Sequence, residues 1–310
     1  MSHEPDAAPQ RLTLADGLDV HRLGYGAMQL PGPAVWGPPE DRDAAIALLR
    51  RAVELGVDHI DTSDAYGPHV ANELIREALH PYREDLVIAT KVGVERDESK
   101  AFLTAGSPGS LRAHVEENLT RLGTDALDLG YLRVGGDGLA LPDESTSFGD
   151  SFQALVELRE RGLIKHLGLS GVTVGQLGEA RRLAPVVAVQ NRFHLLDRGS
   201  QDVLTCCEDN GIAFVPYFPL VAGLLRPGLD KTHLPPGMAP SDEQEKTLDA
   251  IATRHDATRT QVALAWLLAH SPVTLLIPGT KNPAHLAENV AAAGLRLSEE
   301  DVAELGKFAG

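Results

Sequence analysis

Short runs of β-branched and apolar residues alternate with amphipathic stretches along almost the whole chain. The strand-like runs fall at residues 22–26, 57–61, 86–91, 127–133, 165–170, 186–190, 213–216 and 273–278. Between them the apolar positions change period. In residues 41–55, Ala44, Ala45, Leu48, Leu49, Ala52 and Leu55 recur at three- and four-residue spacing, which is one stripe of an α-helix. Residues 107–122, 151–161, 174–183 and 260–269 show the same spacing. Caps mark helix starts: Ser107 precedes Pro108, and Ser298 precedes Glu299 and Glu300 at the last helix.

About eight strands alternating with helices leave two architectures, a closed parallel barrel and an open doubly wound sheet. No Pro-, Gly- or Ser-rich linker divides the pattern, and no repeat is visible. Pro and Gly gather instead at 31–39, 135–142 and 226–240. The first two follow strand ends directly and the third follows one by several residues, where a barrel carries its working loops. The open sheet binds a dinucleotide through G-x-G-x-x-G, but Gly24-Tyr25-Gly26-Ala27-Met28-Gln29 lacks the third glycine and runs on into prolines. Gly135-Gly136-Asp137-Gly138 likewise lacks the Lys-Ser/Thr of a phosphate loop. The pattern therefore predicts a single-domain α/β chain, a (β/α)8 TIM barrel over residues 11–310 with enlarged loops, behind a loose tail at 1–10.

Composition narrows the functional classes. With 310 residues, 43% hydrophobic and 23% charged, the chain can bury a large core. It carries 28 Lys plus Arg against 44 Asp plus Glu, a formal net charge of −16, which argues against nucleic acid as a partner. That balance leaves room for a local basic pocket holding one anionic cofactor. The longest apolar run, residues 214–225, contains two prolines and is too short to span a bilayer. The opening MSHEPDAAPQ lacks the features of a signal peptide, so a cytoplasmic enzyme is expected. Cys206 and Cys207 are adjacent, which suits neither a metal clip nor a disulfide framework; we expect two helix residues, at least one packed inward, and no metal.

The segment Gly56-Val57-Asp58-His59-Ile60-Asp61-Thr62-Ser63-Asp64-Ala65-Tyr66-Gly67 carries the most chemistry. It puts Asp61 at a strand end and Tyr66 in the loop beyond, while the next strand closes on Lys91. Neighbouring strand ends of a barrel share one mouth, so the three can converge into a proton donor. An ammonium near a phenol lowers the tyrosine pKa, and an aspartate keeps that ammonium charged.

Here the sequence resembles the aldo-keto reductases over nearly its whole length. The likeness begins at Leu23-Gly24-Tyr25-Gly26-Ala27-Met28 and runs to the last helix. Ile60-Asp61-Thr62-Ser63, Tyr66-Gly67 and Thr90-Lys91 match that family's catalytic Asp, Tyr and Lys in order. The resemblance implies a barrel that binds NADPH without a Rossmann fingerprint and reduces a small-molecule carbonyl compound. It further implies that Ser170 and Gln190 hold the nicotinamide carboxamide and that Tyr217 stacks on the ring. Gly26, Met28, Pro219 and Leu220 would line the same cleft. Gly279, Thr280, Lys281, His285, Glu288 and Asn289 resemble the site for the adenosine 2′-phosphate and adenine, with Lys281 and His285 as phosphate partners.

Two positions depart from the family. Arg133 ends the fourth strand where a histidine is usual, and Gly171 follows Ser170 where asparagine is common. Arginine stays protonated and presents a fork of donors, so it can polarise a carbonyl or meet an anionic oxygen. With Trp36-Gly37-Pro38-Pro39, Asp64-Ala65-Tyr66-Gly67-Pro68-His69 and Leu132-Arg133-Val134, it makes the chain similar to the bacterial group containing pyridoxal reductase. Reduction of an aldehyde, pyridoxal included, is the expected reaction. A biosynthetic ketoreductase of a larger metabolite and a cofactor-binding sensor stay open beside it. Trp36, Phe102 and Phe193 or His194 are expected to wall the substrate pocket, and residues 221–240, with Gly223 and Gly228, to form a clasp over the pyrophosphate.

Overall fold

The computed structural model describes residues 10–135, 146–225 and 239–309. The tail at 1–10, apart from Gln10, the 135–142 loop beyond Gly135, and most of the 221–240 clasp, Gly228 included, lie outside them.

Seven parallel strands form one sheet: β3 (Tyr25–Gly26), β4 (His59–Asp61), β5 (Val87–Val92), β8 (Leu127–Arg133), β9 (Ile164–Ser170), β10 (Ala188–Arg192) and β11 (Ala213–Tyr217). Each lies beside its predecessor in the sheet, β3 at one edge and β11 at the other. The run at 273–278 closes the circle. Thr274 bridges Phe214 and Leu276 bridges Leu23, both in parallel, so both edges meet across this segment. Arg22 fixes the seam, its buried guanidinium donating to the carbonyls of Leu268, Ser271 and Thr274. The barrel predicted from the alternation is present, with the eighth strand reduced to these bridges.

Helices follow the strands as the stripes require: α1 (Arg42–Glu54), α2 (Val70–Leu79), α3 (Pro108–Leu122), α4 (Phe148–Glu160), α5 (Val174–Leu183), α6 (Gln201–Asp209), α7 (Asp242–Arg254), α8 (Arg259–His270), α9 (Pro283–Ala291) and α10 (Glu299–Leu305). Ala45, Leu48, Leu49 and Ala52 of α1 are buried. Ser107 and Ser298 cap α3 and α10. Cys207 is buried in α6, Cys206 is half-buried, and both thiols are free. No helix among the described residues is long and apolar enough to cross a membrane.

Two hairpins were not legible in the reading of the alternation. β1 (Arg11–Ala15) and β2 (Leu18–His21) pair antiparallel around Asp16-Gly17, with Gly17 at φ 75°. Their Leu14, Leu18 and Val20 join Val87, Leu129, Ala213 and Leu275 in the interior cluster, which seals the barrel at the strand starts. The hairpin is tied there by Asp58, which accepts from the His21 amide and pairs with Arg11. The second hairpin, β6 (Val94–Arg96) and β7 (Phe102–Thr104), stands at the opposite end. Arg96 donates from it to the carbonyls of Ala34 and Val35, pinning the Pro-rich loop after β3.

Candidate active site

Strand geometry sets what enters the mouth. Side chains alternate along a strand, so Asp61, Lys91, Arg133, Gln190 and Tyr217 share a face with the residue two before each. For four of them that residue is Ala89, Tyr131, Ala188 or Val215, all members of the interior cluster. Register places Lys91 beside Tyr131, Arg133 beside Ser170 and Ser170 beside Gln190. Inward residues at the strand ends therefore face one cavity of about 510 Å³, lined among others by Gly26, Asp61, Tyr66, Lys91, Arg133, Ser170, Gln190 and Tyr217. This volume lies in the usual range of small-molecule sites.

Asp61 and Lys91 form a buried ion pair at 2.5 Å, and Lys91 also donates to the Thr62 carbonyl at 3.0 Å. The second Asp61 oxygen accepts from Gln190 Nε2 at 2.8 Å. Tyr66 reaches the pair from the loop after β4, with Lys91 Nζ 5.1 Å from its ring centroid. Gly67 makes that approach feasible: at φ 110° the chain turns straight into α2, and a Cβ there would lie 2.4 Å from Val70 Cβ.

A buried polar chain holds the two strand ends in place. Thr62 donates to Asn72, and Asn72 and Thr90 both donate to Asn118, linking β4, β5, α2 and α3 directly behind the pair. All four side chains are fully buried. The asparagines sit within helical stretches, so their function is visible only once the helices are packed.

The electrostatics differ from the sequence expectation at one point. Burial penalises the Lys91 charge, but Asp61 and Tyr66 together outweigh this and the Lys91 pKa is raised, so the lysine stays an ammonium. Burial raises the Tyr66 pKa above 10.0, against the lowering effect of Lys91. The sign expected of the lysine is right, but desolvation outweighs it. The phenol is therefore protonated at neutral pH, the state required to donate.

Most of the other predicted residues line the same cavity: Met28, Phe102, Pro219, Leu220, Gly279, Thr280, His285, Glu288 and Asn289. Lys281 does not; it is exposed at the cavity's edge, and its Nζ donates to the Pro31 carbonyl at 2.6 Å. Trp36 is also outside the lining, its ring covered by the guanidinium of Arg96 at 5.3 Å. Phe193 and His194 need correction as pocket walls. Phe193 is 1% exposed, stacked on Trp266 and edge-on to Phe214 between the sheet and α8. Directly after β10 the chain turns back into the helix layer and takes the ring with it. His194 is buried in the turn beyond and lies outside the cavity lining. Phe193→Ala is expected to cost about 3–5 kcal/mol of stability. KM for the carbonyl substrate should stay unchanged; a raised KM without a drop in melting temperature would return the ring to the pocket.

Several lining residues escaped the sequence reading: Ser63, Val94, Phe218, Leu225, Thr258 and Thr260. Thr258 had a usable signal, since Thr258-Arg259-Thr260-Gln261 is a capping box that starts α8 beside the cavity. Val94 lies on the unforeseen hairpin.

Comparison with known proteins agrees with this geometry. A sequence profile of the aldo/keto reductase family matches residues 22–309. The chain is 50% identical over 287 residues to pyridoxine 4-dehydrogenase of Escherichia coli, covering 92% of this chain and 94% of that one. A thermostable aldo-keto reductase crystallised with the inhibitor epalrestat superposes with a TM-score of 0.78 at 30% identity, covering 94% and 97%. An aldo/keto reductase from Klebsiella pneumoniae, solved in complex with NADP and acetate, gives 0.76 at 25% identity, covering 97% and 96%. The chain belongs to the aldo/keto reductase family of NADP(H)-dependent oxidoreductases.

Proposed function

We propose that the protein reduces an aldehyde with NADPH, pyridoxal to pyridoxine being the reaction its site suits best. The observation that carries this reading is the convergence of Tyr66, the buried Asp61–Lys91 pair and the Arg133 guanidinium on one cavity. The 50% identity to pyridoxine 4-dehydrogenase supports the substrate.

The residues along the cavity fit the cofactor. At the Tyr66 end stand an amide, Gln190, a hydroxyl, Ser170, and the ring of Tyr217. These offer polar partners for a carboxamide and a face for an aromatic ring. At the other end Thr280 precedes α9 and His285 lies in its first turn, where helix amides and the dipole favour a phosphate, and Asn289 lines the cavity from farther along the helix. NADPH, when bound, supplies the hydride. Tyr66 holds the proton that the substrate oxygen takes up, and Lys91, kept charged by Asp61, favours the phenolate left behind. Arg133 is placed to meet negative charge on or beside the reacting oxygen. We place the enzyme in the cytoplasm, a reducing compartment that suits the free thiols of Cys206 and Cys207.

Because Lys281 is engaged with Pro31, we assign the 2′-phosphate to Thr280, His285 and the start of α9. His285→Ala is expected to weaken NADPH about tenfold with little effect on NADH, and Lys281→Ala to do less. Fluorescence titration of both cofactors checks this, and equal losses for NADPH and NADH would show the phosphate lies elsewhere. The reading as a whole is tested by a carbonyl panel run with NADPH and NADH in parallel. Turnover of pyridoxal supports it. Turnover of simple aldehydes alone removes the substrate assignment, and cofactor binding without any oxidation indicates a sensor instead.

A further inference from the structure

Arg133 and Gly171, the two departures from the family pattern, meet in space. Arg133 is buried at the end of β8, its Nη1 3.5 Å from Ser170 Oγ and its Cζ 5.6 Å from the Tyr217 ring centroid. Gly171 follows β9 at φ 74°. A Cβ built there would lie 2.2 Å from Arg133 Nη1, 3.3 Å from its Cζ and 2.8 Å from the Val134 carbonyl oxygen. The backbone at this point has little freedom to yield. The Gly171 amide donates to the Gln190 carbonyl and to Asn191 Oδ1, the Val172 amide donates to the same Asn191 oxygen, and the Val134 amide donates to the Ser170 carbonyl. With the strand ends laced together, a side chain at residue 171 must displace the guanidinium, and it also presses on the Val134 carbonyl.

We propose that Gly171 is a specificity-determining positioning residue. By having no side chain it opens the slot that holds the Arg133 guanidinium against Ser170 and the Tyr217 ring, in the cavity that Tyr66 also lines, and so gives the enzyme its preference for carbonyl compounds with an anionic oxygen next to the carbonyl. This rests on the carbonyl-reductase reading above. A permanently protonated fork of donors beside the reacting oxygen favours an adjacent carboxylate or phenolate over a neutral substituent. Gly171 itself touches no substrate in this scheme; it acts through the arginine.

The test is a double-mutant cycle of Arg133→Ala, Gly171→Ala and both together. It is read as the ratio of kcat/KM for 2-carboxybenzaldehyde to that for benzaldehyde, with NADPH. We expect each single variant to lower that ratio about tenfold and the double variant to lower it no further, because both changes remove the same guanidinium. Strain at φ 74° and the contact with the Val134 carbonyl are present with or without the arginine, so they cancel in the cycle. A wild-type ratio in Gly171→Ala, or the same loss in the Arg133→Ala background as in wild type, overturns the proposal. If the wild type turns over neither aldehyde, melting temperature tests the coupling without turnover, and the carbonyl-reductase reading itself has failed only if pyridoxal is not reduced either. Gly171→Ala should lower it more in wild type than in Arg133→Ala; equal drops count against the coupling. Should Gly171→Ala alone fail to fold, a folded double variant supports the proposal and an unfolded one overturns it.

Discussion

Replacing Tyr66 with phenylalanine is expected to cut the chemical step by about 10²–10⁴-fold while leaving NADPH affinity within about threefold of wild type. The substitution removes one hydroxyl and keeps the ring that lines the cavity, so the loss is that of the proton donor. Single-turnover rates separate it from binding. The pH dependence sharpens the point. Burial raises the Tyr66 pKa above 10.0, so the phenol stays protonated through the neutral range and reduction should be flat there, falling only in strong alkali. The reverse reaction needs the phenolate and should rise with pH over the same range. Unchanged turnover in Tyr66→Phe, or a reduction rate that falls through neutrality, would remove Tyr66 from the assigned role.

The second large effect is expected from Lys91→Met. The ammonium is buried against Asp61 at 2.5 Å, and removing it leaves a buried carboxylate whose remaining partner is Gln190. Breaking a buried pair from one side costs about 3–5 kcal/mol, so both stability and rate should fall steeply. Adding Asp61→Asn should restore most of the stability, because the uncompensated charge is gone, but not the rate. That divergence distinguishes a group that acts on Tyr66 from one that only holds the fold. The pair also has a predictable pH window. Lys91 has a raised folded pKa, so its contribution is complete below the ordinary lysine value of 10.5 and is lost as pH rises through the folded value. Recovery of turnover together with stability in the double variant would contradict this division of labour.

The parts legible in the sequence are those with a strict period or a fixed spacing. The barrel strands were readable because a strand covered on both faces is a near-continuous apolar run, and β8 and β9 fall within a residue of the ranges read from it. Asp61 and Lys91 were readable because each interrupts such a run at its end. The N-terminal hairpin was harder because one face is exposed and its strands are five and four residues long, although Asp16-Gly17 between alternating leucines was a usable turn signal. Phe193 was misplaced because a strand end does not specify whether the next residue turns toward the mouth or the helix layer. The Asn72–Asn118 link joins residues 46 positions apart, and the Gly171–Arg133 contact joins residues 38 apart. Neither has a period to show it. Glycine at 171 stands out in the sequence only as a departure from the family pattern; in the structure it leaves room for the Arg133 guanidinium.

Local charge also takes on a meaning that the total of −16 concealed. The acidic balance gives no long-range attraction for an anionic cofactor. The groups that matter are few and local: the Lys91 ammonium and the Arg133 guanidinium at the reacting end, and the His285 imidazole toward the far end. Affinity and selectivity therefore depend on single side chains, which is why the substitutions proposed above are expected to have such specific effects.

The most direct test of the central claim is hydride transfer itself. NADPH deuterated stereospecifically at C4 is mixed with the enzyme and pyridoxal in a single turnover, and the products are examined by mass spectrometry and NMR. The account predicts deuterium on the new hydroxymethyl carbon of pyridoxine from one cofactor face only, with the signal lost in Tyr66→Phe on the same timescale. Bound cofactor that transfers no deuterium to pyridoxal or to any other carbonyl compound would contradict it.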